Sequence, residues 1–186
     1  MADTVCTELI LGGQRSGKSR RAELLARQWL GAVPAHRAVM IATGQPWDDE
    51  MRDRIARHQR DRAERVPGMR TVEEPLALAE ALKEHSAPQT LVVVDCLTLW
   101  LTNFMMPAEG ASADPNEPTQ SLCRAIADAP GPVVLVSNEI GLGVIPMGRD
   151  VRAYVDALGG LNQRVAAACA RVTLMAAGLP LTLKGF

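Results

Sequence analysis

The sequence predicts a three-layer α/β fold, a mostly parallel sheet with helices on both faces. Two observations carry this. Short apolar runs such as Leu91-Val92-Val93-Val94 are continuous rather than alternating, as in strands covered on both sides. These runs also take turns along the chain with segments of helical spacing. Ligands bind to such sheets at the carboxyl ends of the strands.

The elements follow in order. Glu8-Leu9-Ile10-Leu11 reads as the first strand, ended by Gly12-Gly13. Ser19 to Leu30 carries Ala22, Leu24, Leu25, Ala26 and Trp29 at helical spacing. Ala38 to Ala42 is a second buried strand, closed by Thr43-Gly44. Asp48 to about Arg65 reads as a polar helix with acidic residues in its first turn, broken by Pro67-Gly68. Pro75 to Glu84 is another helix, Leu91 to Asp95 the third strand, and Leu97 to Met106 an apolar helix. Pro107 to Pro118 has the composition of a mobile loop. A short helix over Ser121 to Asp128 and a strand over Pro132 to Ser137 come next. Asp150 to Ala170 is helical, with Gly159-Gly160 a candidate interruption. Late strands over Arg171–Met175 and Leu179–Lys184 are split by Ala177-Gly178.

Composition bounds the function. The chain has 186 residues, 47% hydrophobic and 22% charged, which suits one domain over residues 1–186 and excludes disorder. No apolar run reaches the roughly 18–20 residues that cross a bilayer, and no basic n-region precedes an apolar stretch at the start. A net charge of −1 and 3% aromatics argue against nucleic acid as a partner. The four cysteines, Cys6, Cys96, Cys123 and Cys169, form no C-x-x-C pair and read as reduced, mostly buried thiols of a cytoplasmic protein. Only Lys18, Lys83 and Lys184 are lysines among the 20 basic residues, so a lysine inside a motif stands out.

Lys18 is in such a motif. Gly12-Gly13-Gln14-Arg15-Ser16-Gly17-Lys18-Ser19 fits G-x-x-x-x-G-K-[ST] between a strand and a helix. The glycines let backbone N–H groups curl around a phosphate, and the following helix points its positive end at it. Lys18 would reach the β/γ-phosphates and the Ser19 hydroxyl would ligate Mg²⁺. Asp95, ending its strand, is either a carboxylate beside that Mg²⁺ or the cap of the next helix. Between Asp48 and Arg70 lie seven arginines interleaved with acidic residues, which composition alone reads as a solvated, ion-paired helix. Met51, Ile55 and His58 share one face of it, so His58 is expected to look inward. That leaves two readings, a partly buried structural histidine or an imidazole nucleophile aimed at phosphorus.

These pieces, taken together, resemble one family. They are the Gly12–Arg20 loop; Ile41-Ala42-Thr43 with Asp48-Asp49-Glu50-Met51; Arg54-Ile55 with His58; Asp95-Cys96-Leu97-Thr98 with Leu101-Thr102-Asn103; Ser137-Asn138-Glu139-Ile140-Gly141-Leu142-Gly143-Val144-Ile145-Pro146; and Leu161-Asn162-Gln163-Arg164. The family is the bifunctional adenosylcobinamide kinase / adenosylcobinamide-phosphate guanylyltransferase of cobalamin assembly. The resemblance implies a RecA-like P-loop NTPase fold and a guanylylated histidine at His58. It implies nucleotide contacts at Gly12 to Ser19, at Ala42, Thr43 and Gly44, at Gln59, Arg60, Asp61 and Arg62, at Glu73 and at Asp95. The implied substrates are adenosylcobinamide, its phosphate, and ATP or GTP, and the implied assembly is a homo-oligomer, a trimer among the forms expected. Gly160 departs from the family, which has a larger, often basic residue there.

Two displacements on phosphorus would then share one loop. His58 would have to approach in line, by a swing of its helix on the Gly44-to-Trp47 and Arg65-to-Gly68 connections. The rival readings are a P-loop small-molecule kinase without guanylyl transfer and a nucleotide-dependent switch.

Overall fold

The structure, a computed structural model, describes residues 7–46, 48–107 and 112–185. In chain order the elements are β1 (Thr7–Gly12), α1 (Lys18–Ala32), β2 (Arg37–Ala42), α2 (Asp49–Arg65), β3 (Met69–Glu73), α3 (Leu78–His85), β4 (Thr90–Asp95), α4 (Leu97–Met105), α5 (Asn116–Ala127), β5 (Val133–Val136), α6 (Arg149–Ala168), β6 (Arg171–Ala176) and β7 (Leu179–Lys184). The seven strands form one sheet in the order β3-β2-β4-β5-β1-β6-β7, parallel throughout except for β7, which runs antiparallel to β6.

Both faces are covered because side chains alternate along each strand. Leu9 and Leu11 of β1, Val92 and Val94 of β4, and Val133 and Leu135 of β5 enter one core, closed by α3, α4, α5 and α6. Ile10, Leu91, Val93, Val134 and Val136 enter the other, closed chiefly by Ala22 and Ala26 of α1. Glu8, almost fully buried, ties three elements together. It pairs with Arg21 of α1 at 2.9 Å and accepts from Thr173 Oγ1 of β6 at 2.7 Å.

The strands and helices read from the sequence are present, with four differences. β3 was not anticipated. It is an edge strand with mostly exposed, polar residues, so it lacks the apolar run that marks its neighbours. α6 passes through Gly159-Gly160 without a break. Leu158 and Leu161 on either side are fully buried, and that packing outweighs the roughly 1 kcal/mol each glycine costs a helix. α3 starts at Leu78 because Glu74 Oε1 accepts from the Leu76 and Ala77 amides and holds a turn over Pro75. α5 begins at Asn116, inside the loop expected over Pro107–Pro118, whose residues 108–111 lie outside the described ones.

Lys184 of β7 closes the end of α6, donating to the carbonyls of Ala166, Ala167 and Cys169 at 2.9, 3.1 and 2.6 Å. Among the described residues, no helix is long and apolar enough to cross a membrane.

Candidate active site

The loop Gly12–Ser19 joins β1 to α1 and curls tightly. Gly12 has φ 150° and Gly17 φ 101°, conformations open to glycine, and Arg15 between them is also left-handed at φ 57°. A side chain at Gly12 would stand 2.5 Å from the Met175 carbonyl oxygen of β6. The loop is braced from the distant β6–β7 turn, where the Gly178 amide donates to Ser16 O at 3.0 Å.

Lys18 opens α1 and is 8% exposed. Its Nζ donates to Gly13 O at 2.6 Å and lies 3.5 Å from Ser16 Oγ. Burial pushes this ammonium below the ordinary lysine value, against the opposing pull of Cys96 and then Asp95. The Cys96 thiol is pushed up to about 11, first by burial and then by the Asp95 carboxylate. Gln14 and Arg15 are exposed, and Ser19 is half-buried.

Asp95 does not cap α4; Cys96 holds the N-cap position. Register sets Asp95 beside Ala42 of β2, and Ala42 beside Glu73 of β3. Three residues far apart in sequence thus form one row at the carboxyl edge. Thr43, also expected at this edge, is fully buried, and its hydroxyl is engaged at home. Oγ1 donates to Cys96 O at 2.7 Å and accepts from Cys96 N at 3.0 Å. The Thr43 carbonyl is held by Asn103 Nδ2 of α4 at 2.9 Å. Thr43 and Asn103 therefore splice the ends of β2 and β4 together.

α2 reaches the edge on Asp48, whose carboxylate caps the helix by accepting from the Met51 amide at 2.7 Å. Ile55 and Leu99 of α4 close on Gly44, an apolar contact that helps dock the helix. The next turn differs from expectation, because His58 is exposed. Past Ile55 the helix makes polar contacts, until Val66 at its C-cap is buried in the core beneath α1. Gln59 donates to Glu73 at 2.9 Å, buried Arg62 donates to Thr71 at 3.3 Å, and Arg65 pairs with Glu23 of α1 and with Asp61, each at 3.2 Å. Arg52 pairs with Asp49. Arg57 and Arg60, flanking His58, are exposed and have no side-chain partner among the described residues.

Sequence reasoning missed the polar side chains that fix this edge from below. Asn138 follows β5, and its amide donates to Thr98 Oγ1 at 2.8 Å while its carbonyl accepts from Asn162 Nδ2 of α6 at 3.0 Å. The available signal was a polar residue in an otherwise apolar helix face, as at Thr98, Asn103 and Asn162. Beyond this edge, the 140–146 loop and α6 enclose a cleft of about 380 Å³ lined by Ile145, Arg152, Asp156, Gly159, Gly160 and Gln163, among others.

The arrangement offers a glycine-rich loop at a helix N-terminus, a buried ammonium, a carboxylate, and an exposed imidazole on α2. The solved structure of the flagellar accessory protein FlaH from Methanocaldococcus jannaschii superposes with a TM-score of 0.54 at 10% identity, over 98% of this chain and 79% of that one. That likeness concerns the fold alone, the P-loop NTPase fold. Sequence likeness goes further. The bifunctional adenosylcobalamin biosynthesis protein CobP of Pseudomonas aeruginosa is 48% identical over 178 residues, covering 96% of this chain and 97% of the relative. The protein called CobU in Escherichia coli is 36% identical over 188 residues, covering 95% and 98%. The family model for cobinamide kinase / cobinamide phosphate guanyltransferase matches residues 8–183, and the chain belongs to that family.

Proposed function

We propose that one nucleotide site built on the Gly12–Ser19 loop serves both reactions of this bifunctional enzyme, and that His58 is the residue that carries GMP. The observation that carries the reading is the Lys18 ammonium, buried with its Nζ on Gly13 O at the mouth of the loop, on the sheet whose β4 ends in Asp95.

In the kinase step, the aminopropanol hydroxyl of adenosylcobinamide attacks the γ-phosphorus of ATP or GTP. The bond to the β–γ bridging oxygen breaks, and the hydroxyl proton leaves to solvent. In the guanylyl step, an imidazole nitrogen of His58 attacks the α-phosphorus of GTP, and pyrophosphate departs with the bond electrons. A phosphate oxygen of adenosylcobinamide phosphate then attacks the GMP phosphorus and frees the imidazole, giving adenosylcobinamide-GDP. Lys18 and the loop amides hold the phosphate oxygens in each displacement. Ser19 and Asp95 would hold Mg²⁺, which when bound neutralises charge on the phosphates. A hydroxyl and one carboxylate suit an ion that keeps waters and phosphate oxygens as its other ligands. Among the described residues no cluster of three or more His, Cys, Asp and Glu forms a cage of its own.

The exposure of His58 and the unpaired Arg57 and Arg60 support the nucleophile role. Guanidinium groups grip phosphate oxygens in planar, bidentate fashion. For in-line attack, α2 swings about its Ile55 contact while its polar ties exchange. The exposed Leu142, Val144, Ile145 and Met147 support a homo-oligomer, a trimer among its forms. The free thiols of Cys96 and Cys123 suit the cytoplasm.

Incubation with GTP labelled at the α-phosphate tests the reading. The expected product is a covalent GMP adduct, labile to acid and stable to base, that is absent from His58→Asn. Full labelling of that variant would remove His58 from the role. Phosphorylation of adenosylcobinamide with no adduct in the unaltered protein would favour a simple kinase.

A further inference from the structure

The carboxyl end of β5 occupies the centre of this edge. β5 lies between β1, which leads into the phosphate loop, and β4, which ends in Asp95. Its pairing with β1 continues past the strand. The Ser137 amide donates to Ile10 O at 3.0 Å and the Glu139 amide to Gly12 O at 3.1 Å. That two-residue step is the pattern of a parallel ladder, so side chains keep alternating through Ser137, Asn138 and Glu139.

Alternation fixes the direction of Asn138. Val136 enters the core beneath α1 and is register partner to Asp95. Asn138, two residues on, projects to the same face, the face on which α1 begins with Lys18. Its main chain is immobilised from the opposite side by Thr98 and Asn162. Its carboxamide, by contrast, has no partner among the described residues and is half-buried. Neighbouring Glu139 is engaged elsewhere, accepting from the Gly141 amide. An amide held rigidly by its backbone, left without a partner, and set between Gly12 and Asp95 is a hydrogen-bond donor awaiting an acceptor.

We propose that Asn138 is a further catalytic residue of the kinase step, its Nδ2 donating to an oxygen of the γ-phosphoryl group during transfer. This rests on the placement of the phosphates in the Gly12–Ser19 loop. In the step it assists, the bond from the acceptor oxygen to the γ-phosphorus forms and the bond to the bridging oxygen breaks. The electrons of the broken bond go to the departing nucleoside diphosphate. The equatorial oxygens carry the spread charge meanwhile, and a fixed donor is worth most there. The guanylyl step, centred on the α-phosphorus, makes far less use of it.

Asn138→Ala and Asn138→Asp test this in the full chain. Four readouts serve: adenosylcobinamide kinase turnover, covalent GMP formation on His58, melting temperature, and the ratio of affinities for a non-hydrolysable GTP analogue and GDP. For Asn138→Ala the expected loss in kinase turnover is about 100-fold, the scale of one transition-state donor. The analogue-to-GDP ratio should fall about tenfold, as for one charged hydrogen bond. GMP formation should lose at least about tenfold less than the kinase step, with the melting temperature unchanged. Asn138→Asp, which sets a carboxylate against the phosphate, should lose at least as much kinase activity. Kinase turnover within threefold of the unaltered protein overturns the proposal. So does an equal fall in both steps with the affinity ratio unchanged, since Asn138 would then only shape the loop. The affinity ratio needs no corrinoid and no adduct, so it judges Asn138 even if the GMP adduct fails to form.

Discussion

Gln59, the residue after His58, hydrogen-bonds Glu73 across 2.9 Å, which ties the helix carrying the imidazole to the row Glu73, Ala42 and Asp95. The tie is exposed, so its worth to stability is small while its position is critical. Glu73→Ala should change the unfolding free energy by less than about 1 kcal/mol in urea titrations. The rate of GMP attachment should fall at least about tenfold, since the variant loses the tether that positions the helix of His58. A slowed rate with an equal drop in stability would make Glu73 a structural residue.

Lys18→Met separates function from stability. The change removes a buried charge from the folded state, so urea unfolding should give equal or greater stability while nucleotide binding is lost. The pH dependence follows in sign. Well below its lowered folded value, Lys18 is charged in both states. Between that value and 10.5 only the unfolded chain keeps the proton, so the unaltered protein gains stability as pH rises through this window. Comparing the two proteins, that gain should be missing from Lys18→Met.

Thiol chemistry offers a second test of the same neighbourhood. With Cys96 pushed up to about 11 from an ordinary 9.0, its thiolate fraction at pH 8 is about a hundredth of a free thiol's. Alkylation by iodoacetamide, followed by peptide mass spectrometry, should be correspondingly slow in the folded protein and fast in urea. The folded rate should climb about tenfold per pH unit below 11. Rapid labelling at pH 8 would mean that the thiol is not enclosed beside Asp95.

Asn103 is 5% exposed, and its Nδ2 serves two carbonyls, Thr43 O and Pro75 O, each at 2.9 Å. Asn103→Leu leaves both acceptors without this donor and should cost about 2–4 kcal/mol by urea unfolding. GTP affinity should fall with it, because Thr43 holds the end of β2 against Cys96. A loss under 1 kcal/mol would mean that water replaces the amide.

The place of the glycine-rich loop between β1 and α1, and of Asp95 at a strand end, was legible because these motifs need particular residues at short, fixed spacing. β3 was not legible, since an exposed edge strand carries no burial pattern. For His58, helical spacing correctly grouped it with Met51 and Ile55. Spacing says which side chains share a face, however, and not how far along that face the core extends. The partners within the polar scaffold were beyond reach for a different reason. Its contacts join residues separated by 60 positions for Asn103 and Thr43, 40 for Asn138 and Thr98, and 24 for Asn162 and Asn138. Only the folded sheet brings them together, and no local pattern records such a meeting.

The bond from the Gly178 amide to Ser16 O has a consequence for the order of synthesis. The glycine-rich motif is synthesised well before its brace, for the turn that steadies it arrives only when residue 178 has left the exit tunnel. Between those two moments the nascent chain carries the motif without this hydrogen bond. The fully braced loop is therefore a property of the completed sheet, formed late in synthesis.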